Sequence, residues 1–221
     1  MKVLIGIVAG KTDKHCHDRF VSALNAQGSY DKVAAVLDAE TTKAYSLFKV
    51  IQSSDANDAR EKLRDYALKN KYDALFLVDA NIIIPEGCLV SLMSVKAPIV
   101  GAPYLGQMKI REFSRITPVV YAFGVEEGSA FPVPVEMLVP REVMQAAAVG
   151  FGACLIHRNA LETGKLDDCV EFCLNAKKKG LLTGADTRVK CVHVEKDREY
   201  DWPVGMVTRT HSVDSKDLGL E

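Results

Sequence analysis

The first half of the chain alternates short apolar runs with longer stretches whose apolar positions recur every three or four residues. Val3–Ala9 is a continuous apolar run of strand length, and Asp18–Gln27 carries Phe20, Val21, Ala23 and Leu24 as a helical stripe that stops near Gly28. Lys32–Leu37 predicts a second strand, whereas Thr41–Ile51 mixes β-branched and aromatic residues without a clean period. Ser53–Asp58 supplies helix caps ahead of Ala59, Leu63, Tyr66 and Ala67, which mark one face of a helix ending at Asn70. Strand Ala74–Val78 follows, then a helix from Pro85-Glu86-Gly87 to near Val95, then a buried strand over Pro98–Tyr104. This βαβαβαβ rhythm predicts an α/β protein with a mainly parallel sheet covered by helices on both faces.

The pattern changes between Gly106 and Pro140, where Pro118, Pro132, Pro134 and Pro140 break up short Val- and Phe-rich runs. An irregular β insertion or mobile loop is expected there, of the kind that shapes a substrate pocket. Val149–Ile156 is a glycine-marked strand, and Asn159–Thr163 a short helix. Asp167-Asp168 then precedes a helix with Cys169, Phe172, Cys173 and Ala176 inward, Lys177-Lys178-Lys179 in its last turn and Gly180 as its cap. A final strand over Arg188–Val194 ends in His193-Val194-Glu195. Residues 1–195 therefore read as one domain, and residues 196–221, charged and carrying Trp202 and Pro203, as a surface extension.

Composition narrows the function classes. With 221 residues, 48% of them hydrophobic, the chain can bury a substantial core. Its 28 basic and 29 acidic residues nearly cancel, so no global field points to nucleic acid or an anionic membrane. The apolar Met1–Gly10 segment lacks a signal-peptide cleavage pattern, and no run approaches transmembrane length. Six cysteines at 16, 88, 154, 169, 173 and 191 lack the spacing of a zinc site or a disulfide framework, which suits free thiols in a reducing cytoplasm.

The chemistry concentrates at Tyr72–Asn81, a buried strand that ends on a carboxylate and a carboxamide two positions apart. In an open α/β sheet, ligands bind at the carboxyl ends of the strands. Asp79 and Asn81 are thus placed to hold a hard divalent cation and the phosphates it carries, although Asp and Asn are also ordinary turn residues. Asp167 and Asp168 are candidate general bases as well as ordinary helix caps, and His193 is a candidate metal ligand as well as a packed core residue. Three other motifs fall away. Gly10-Lys11-Thr12 has the wrong glycine spacing for a phosphate loop, His15-Cys16-His17 fits a solvated loop, and Gly150-x-Gly152 fits close backbone approach better than dinucleotide binding.

In their order these blocks resemble the GT-A type glycosyltransferases, in particular the family-two-like nucleotide-sugar enzymes. Ser53–Leu68 with Ala59-Arg60 is similar to the helix after the nucleotide-recognition strand, and Tyr72–Asn81 to the strand carrying an Asp-x-Asp metal motif. Phe151–Leu161 is similar to the acceptor-side strand, and Leu166–Val194 to the acidic pair, amphipathic helix, glycine, strand and terminal histidine. The resemblance implies a GT-A fold, a nucleoside-diphosphate sugar donor, and Mn²⁺ or Mg²⁺ held by Asp79, Asn81 and His193. It places Val8, Ala9, Asp38 and Arg60 near the nucleotide and makes Asp168, or Asp167, the base in an inverting transfer to a glycan, lipid or protein acceptor. The charge balance and the free thiols add the expectations of no nucleic-acid partner and a cytoplasmic location, with peripheral membrane attachment as the variant, and the oligomeric state is open to a homo-oligomer. Asn81 in place of the second aspartate, and Asp-Asp in place of Glu-Asp with one extra residue before Phe172, depart from the family pattern. The alternatives are a degenerate, non-catalytic nucleotide-sugar binding domain and, more remotely, a nucleotidyltransferase.

Overall fold

The protein is described from a computed structural model, which covers residues 1–10, 14–110, 113–126, 128–138, 142–195 and 198–202. Lys11 and Thr12 of the discounted phosphate-loop motif, Pro140, Lys196 and the tail from Pro203 onward lie outside the described residues.

The first four strands are β1 (Val3–Ala9), β2 (Asp31–Val36), β3 (Lys49–Gln52) and β4 (Ala74–Asp79), with helices α1 (Lys14–Asn25), α2 (Ala39–Ala44) and α3 (Ala56–Lys69) between them. The ambiguous Thr41–Ile51 stretch therefore divides into part of a helix and part of a strand. Next come β5 (Ile82–Ile83), α4 (Cys88–Met93) and β6 (Ile99–Gly101). The region read as irregular is β-rich: β7 (Leu105–Ile110) pairs with β8 (Phe113–Pro118), and β9 (Val120–Phe123) pairs with β10 (Ala130–Pro132). The remaining elements are β11 (Val143–Ala146), β12 (Ala148–Val149), β13 (Ala153–His157), α5 (Arg158–Leu161), α6 (Cys169–Lys178), β14 (Thr183–Asp186), β15 (Val192–Glu195) and β16 (Arg198–Tyr200).

Eight strands form the central sheet in the order β11-β14-β6-β13-β4-β1-β2-β3. Four neighbouring pairs are parallel, β1 with β2 and β4, β2 with β3, and β6 with β14, while β13 and β11 run against their neighbours. The predicted mixed, mainly parallel sheet flanked by helices is thus what forms. Its two central strands sort their side chains by alternation. Leu4, Val8, Leu75 and Leu77 join the core with α3 and α6, and Ile5, Ile7, Phe76 and Val78 join the core with α1 and α4. Each fully buried Leu, Ile or Phe contributes about 1.5–3 kcal/mol, so β1 and β4 can tolerate no polar residue until their ends.

Chain direction then creates the crevice. From β1 the sheet grows to one side through β2 and β3 and returns to β1's other side at β4, so β1 and β4 flank a topological switch point. Their register pairs Val8 with Asp79, which puts the end of both strands at the same mouth.

The structure corrects several local expectations. His15-Cys16-His17 lies within α1 and not in a loop; Cys16 is buried and His17 packs edge-on against Tyr45 at 4.8 Å. Thr183–Asp186 forms a strand that the composition hid, and the expected Arg188–Val194 strand starts only at Val192. Residues 198–202 do not drape on the surface. β16 pairs with β15, and Trp202 is buried with its indole N–H donating to the Cys191 carbonyl at 3.0 Å. A satisfied indole inside an apolar surround is a strong anchor, and it holds the end of the β15–β16 hairpin against the site described next.

Candidate donor site at the end of the fourth strand

Asp79 is the last residue of β4, where the apolar run meets the crevice. Its backbone N–H donates to the Gly152 carbonyl at 3.0 Å and that of Ala80 donates to the Val8 carbonyl at 2.9 Å, so the turn is pinned from both neighbouring strands. The Asn81 carbonyl then accepts from Val194 N at 2.8 Å, and β5 pairs antiparallel with β15 so that Ile82 faces His193. This backbone arrangement delivers the His193 imidazole to the Asn81 side chain, with Asn81 Nδ2 and His193 Nε2 3.0 Å apart.

The other ring nitrogen fixes the tautomer. His193 Nδ1 lies 3.1 Å from the Leu105 carbonyl, an acceptor only, so Nδ1 carries the proton and Nε2 accepts from Asn81 Nδ2. Burial lowers the His193 pKa against the smaller opposing effects of the Leu105 carbonyl, Glu195 and Asp79, which keeps the ring neutral at pH 7. Tyr200 stacks on it at 5.4 Å and Tyr104 meets it edge-on at 6.0 Å. Tyr104 in turn occupies the space that side chains at Gly150 and Gly152 would fill: a Cβ on Gly150 would come within 2.3 Å of its hydroxyl. The two glycines therefore admit an aromatic ring, and the Tyr104 hydroxyl accepts from Gly152 N at 3.3 Å.

Arg60, expected beside the nucleotide, faces the Asp79 carboxylate. Its Nη2 lies 3.4 and 3.3 Å from the two Asp79 oxygens, with side-chain exposures of 16% for Arg60 and 23% for Asp79. The guanidinium sits 5.7 Å from the centroid of Phe151, a ring braced edge-on by Phe172 of α6 at 5.7 Å.

The remaining candidates divide. Val8 and Ala9 are buried at the end of β1, and Leu37 N donates to the Ala9 carbonyl at 3.0 Å, which brings Asp38 to the next strand end. Both Asp38 oxygens are engaged by Thr41, from its N–H at 2.7 Å and its hydroxyl at 2.6 Å, as the N-cap of α2. Asp168 is the N-cap of α6 and accepts from Glu171 N at 2.8 Å. Exposed Asp167 and Asp168 border a shallow cavity of about 170 Å³ with Lys165, Glu171 and Asn175. Cys169, next to Asp168, has its thiol pushed up to about 12, chiefly by burial, while the Arg60 charge opposes the rise.

Tyr104, Phe151 and Tyr200 were not singled out from the sequence. The Gly150-x-Gly152 spacing signals the close approach of Tyr104, whereas nothing local marks Tyr200, which reaches His193 only through the β15–β16 pairing.

The donor chemistry suits a divalent cation: one carboxylate, one carboxamide, and an imidazole whose second nitrogen is oriented by a backbone carbonyl. Among the described residues no three His, Cys, Asp or Glu side chains gather at one point, so the carboxamide is needed to make up this set.

The architecture is that of a GT-A type fold. No protein-family model and no curated protein matches the chain. Among solved structures, GalNAc-T7 with UDP, GalNAc and Mn²⁺ superposes with a TM-score of 0.63 at 15% identity, over 88% of this chain and 44% of its own. The chain thus spans less than half the length of that neighbour. A197 from STIV superposes with a TM-score of 0.54 at 15% identity, over 96% of this chain and 99% of its own. CMP:2-keto-3-deoxy-manno-octonic acid synthetase complexed with CTP reaches a TM-score of 0.49 at 12% identity, too distant to argue from. At these identities the likeness is one of fold. No helix among the described residues is long and apolar enough to cross a membrane.

Proposed function

We propose that the protein is a glycosyltransferase that moves a sugar from a nucleoside-diphosphate sugar to an acceptor hydroxyl with inversion, assisted by Mn²⁺ or Mg²⁺. The observation that supports this is the placement of Asp79 and Asn81 where β4 ends at the carboxyl edge of a GT-A type sheet, with His193 Nε2 3.0 Å from Asn81 Nδ2, a bond that a bound metal would replace. Asp79, Asn81 and His193 would hold the metal, which when bound supplies positive charge against the leaving diphosphate. Val8 and Ala9 would border the nucleotide at the switch-point mouth. Asp38 would meet the ribose only by giving up part of its bonding to Thr41.

The reaction needs a base on the side opposite the diphosphate. Asp168, or Asp167, would take the proton of the acceptor hydroxyl as its oxygen bonds to the anomeric carbon and the bond from that carbon to the diphosphate oxygen breaks, releasing the nucleoside diphosphate. Asp168 Oδ1 is bonded to Glu171 N, so proton acceptance falls to the other oxygen.

A second reading, a nucleotide-sugar binding domain without turnover, draws on a specific observation: Arg60 already neutralises the single carboxylate of the corner, and Asn81 brings no second one. Product analysis separates the two. Incubating the full chain with UDP- and GDP-sugars, Mn²⁺ and a panel of glycan and lipid acceptors is expected to release nucleoside diphosphate. Pyrophosphate release in a parallel incubation with a nucleoside triphosphate and a sugar phosphate would instead indicate nucleotidyl transfer, and binding without product in either incubation would select the non-catalytic domain.

A further inference from the structure

Arg60 meets Asp79 through an incomplete contact. One nitrogen, Nη2, spans both carboxylate oxygens at 3.3 and 3.4 Å, Nη1 reaches Asn57 Oδ1 at 3.2 Å, and Nε is buried with no hydrogen-bond partner among the described residues. A fork-on-fork arginine–carboxylate pair engages two nitrogens at about 2.7–2.9 Å. The contact here is longer and uses one. Beneath it, Phe151 offers a flat face at 5.7 Å that holds a planar cation whichever anion it addresses, and Phe172 fixes that face from α6.

Charge at the corner gives this geometry a consequence. Asn81 carries no charge, and Arg60 is paired with Asp79. A divalent cation arriving alone meets a carboxylate that is already paired. A cation arriving with a diphosphate brings anionic oxygens that a guanidinium recognises as readily as it does a carboxylate.

We propose, resting on the donor-site reading above, that Arg60 is the resident counter-cation of Asp79 and couples the two ligands of the site. Metal and diphosphate entering together separate the guanidinium from Asp79, and its N–H fork turns to the diphosphate while remaining on Phe151. Linkage then requires that each ligand tighten the other by the same factor.

The test follows Mn²⁺ binding to the full chain by electron paramagnetic resonance without nucleotide, and UDP and GDP binding by calorimetry at saturating Mn²⁺. Arg60→Gln is expected to tighten Mn²⁺ alone about tenfold and to weaken the nucleotide about tenfold, within the usual range of coupling factors, so that their mutual tightening falls toward one. Arg60→Lys keeps the charge without the fork. It is expected to bind Mn²⁺ alone as the wild type does while the mutual tightening drops severalfold, and it decides the matter by itself should the Gln variant not fold. Unchanged Mn²⁺ affinity and unchanged coupling in the variants, with Asp79-dependent binding intact, overturns the role of Arg60 and leaves the donor site standing. Absence of Mn²⁺ and nucleotide binding in wild type and variants alike takes down both.

Discussion

The end of β4 and the start of α6 both present aspartates, but they are built differently. At β4 the side chain of Asp79 is two-thirds or more withdrawn from solvent, its backbone is bonded to a neighbouring strand, Arg60 of α3 faces its carboxylate, and, two residues on, Asn81 meets His193 of β15. At α6, Asp167 and Asp168 are exposed, and the bond that Asp168 makes is the one any good helix cap makes. Convergence of distant segments at one corner costs desolvation and constrains several elements at once, so a bland role explains it poorly. A cap explains itself. The strand-end corner therefore carries the functional proposal, and the acidic pair has to show its chemistry in turnover.

Variants can sharpen or break that contrast. The largest effect is expected for Asp79→Ala, which removes the corner's carboxylate and should abolish metal-dependent release of nucleoside diphosphate, read by product assay. Asp168→Asn comes next. It should leave donor binding intact and lower turnover by about a hundredfold or more, the usual range for loss of a general base, while Asp167→Asn changes turnover less. Equal turnover in both variants and wild type would reduce the pair to capping. His193→Ala should weaken Mn²⁺ about 10–100-fold, measured by calorimetry with UDP present.

A purely structural carboxylate calibrates these effects. Asp186 at the end of β14 is fully buried and accepts from Ser91 Oγ at 2.8 Å and from Arg188 Nε and Nη2, each at 2.8 Å. Burial alone would raise its pKa, but the bonds from Arg188 and Ser91 outweigh it and hold the carboxyl below its ordinary value. Because the folded value is the lower one, its stabilisation is complete above the unfolded value of about 3.9 and disappears as pH falls through the folded value. Asp186→Asn should cost about 2–4 kcal/mol in denaturant unfolding at pH 7, flatten the acid dependence and leave nucleotide binding unaltered. The smallest effect is that of Asp168→Ala on stability, about 1 kcal/mol for a lost cap.

Much of the sheet was legible because its central strands are buried on both faces and so appear as uninterrupted apolar runs: Val3–Ala9 and Ala74–Val78 differ from the observed strands by at most one residue. Asp79, Asn81 and His193 were legible as candidates because each stands where an apolar strand ends. Elements whose identity depends on partners were not. Thr183–Asp186 contains a glycine and a buried aspartate and is a strand because β6 and β11 flank it. Arg198–Tyr200 is charged and pairs with β15 while Trp202 anchors the chain beyond it, which no local period announces. Arg60 sits on a helix face at ordinary spacing, and only the packing of α3 against β4 turns it toward Asp79.

The most direct test of the donor site is calorimetric titration of the full chain with UDP and with GDP, each with and without Mn²⁺. Tight binding of one nucleoside diphosphate that depends on Mn²⁺ and is lost in Asp79→Ala is the expected result. Binding that is the same with and without metal, or unaffected by the Asp79→Ala change, would contradict a metal-assisted donor site at the end of β4.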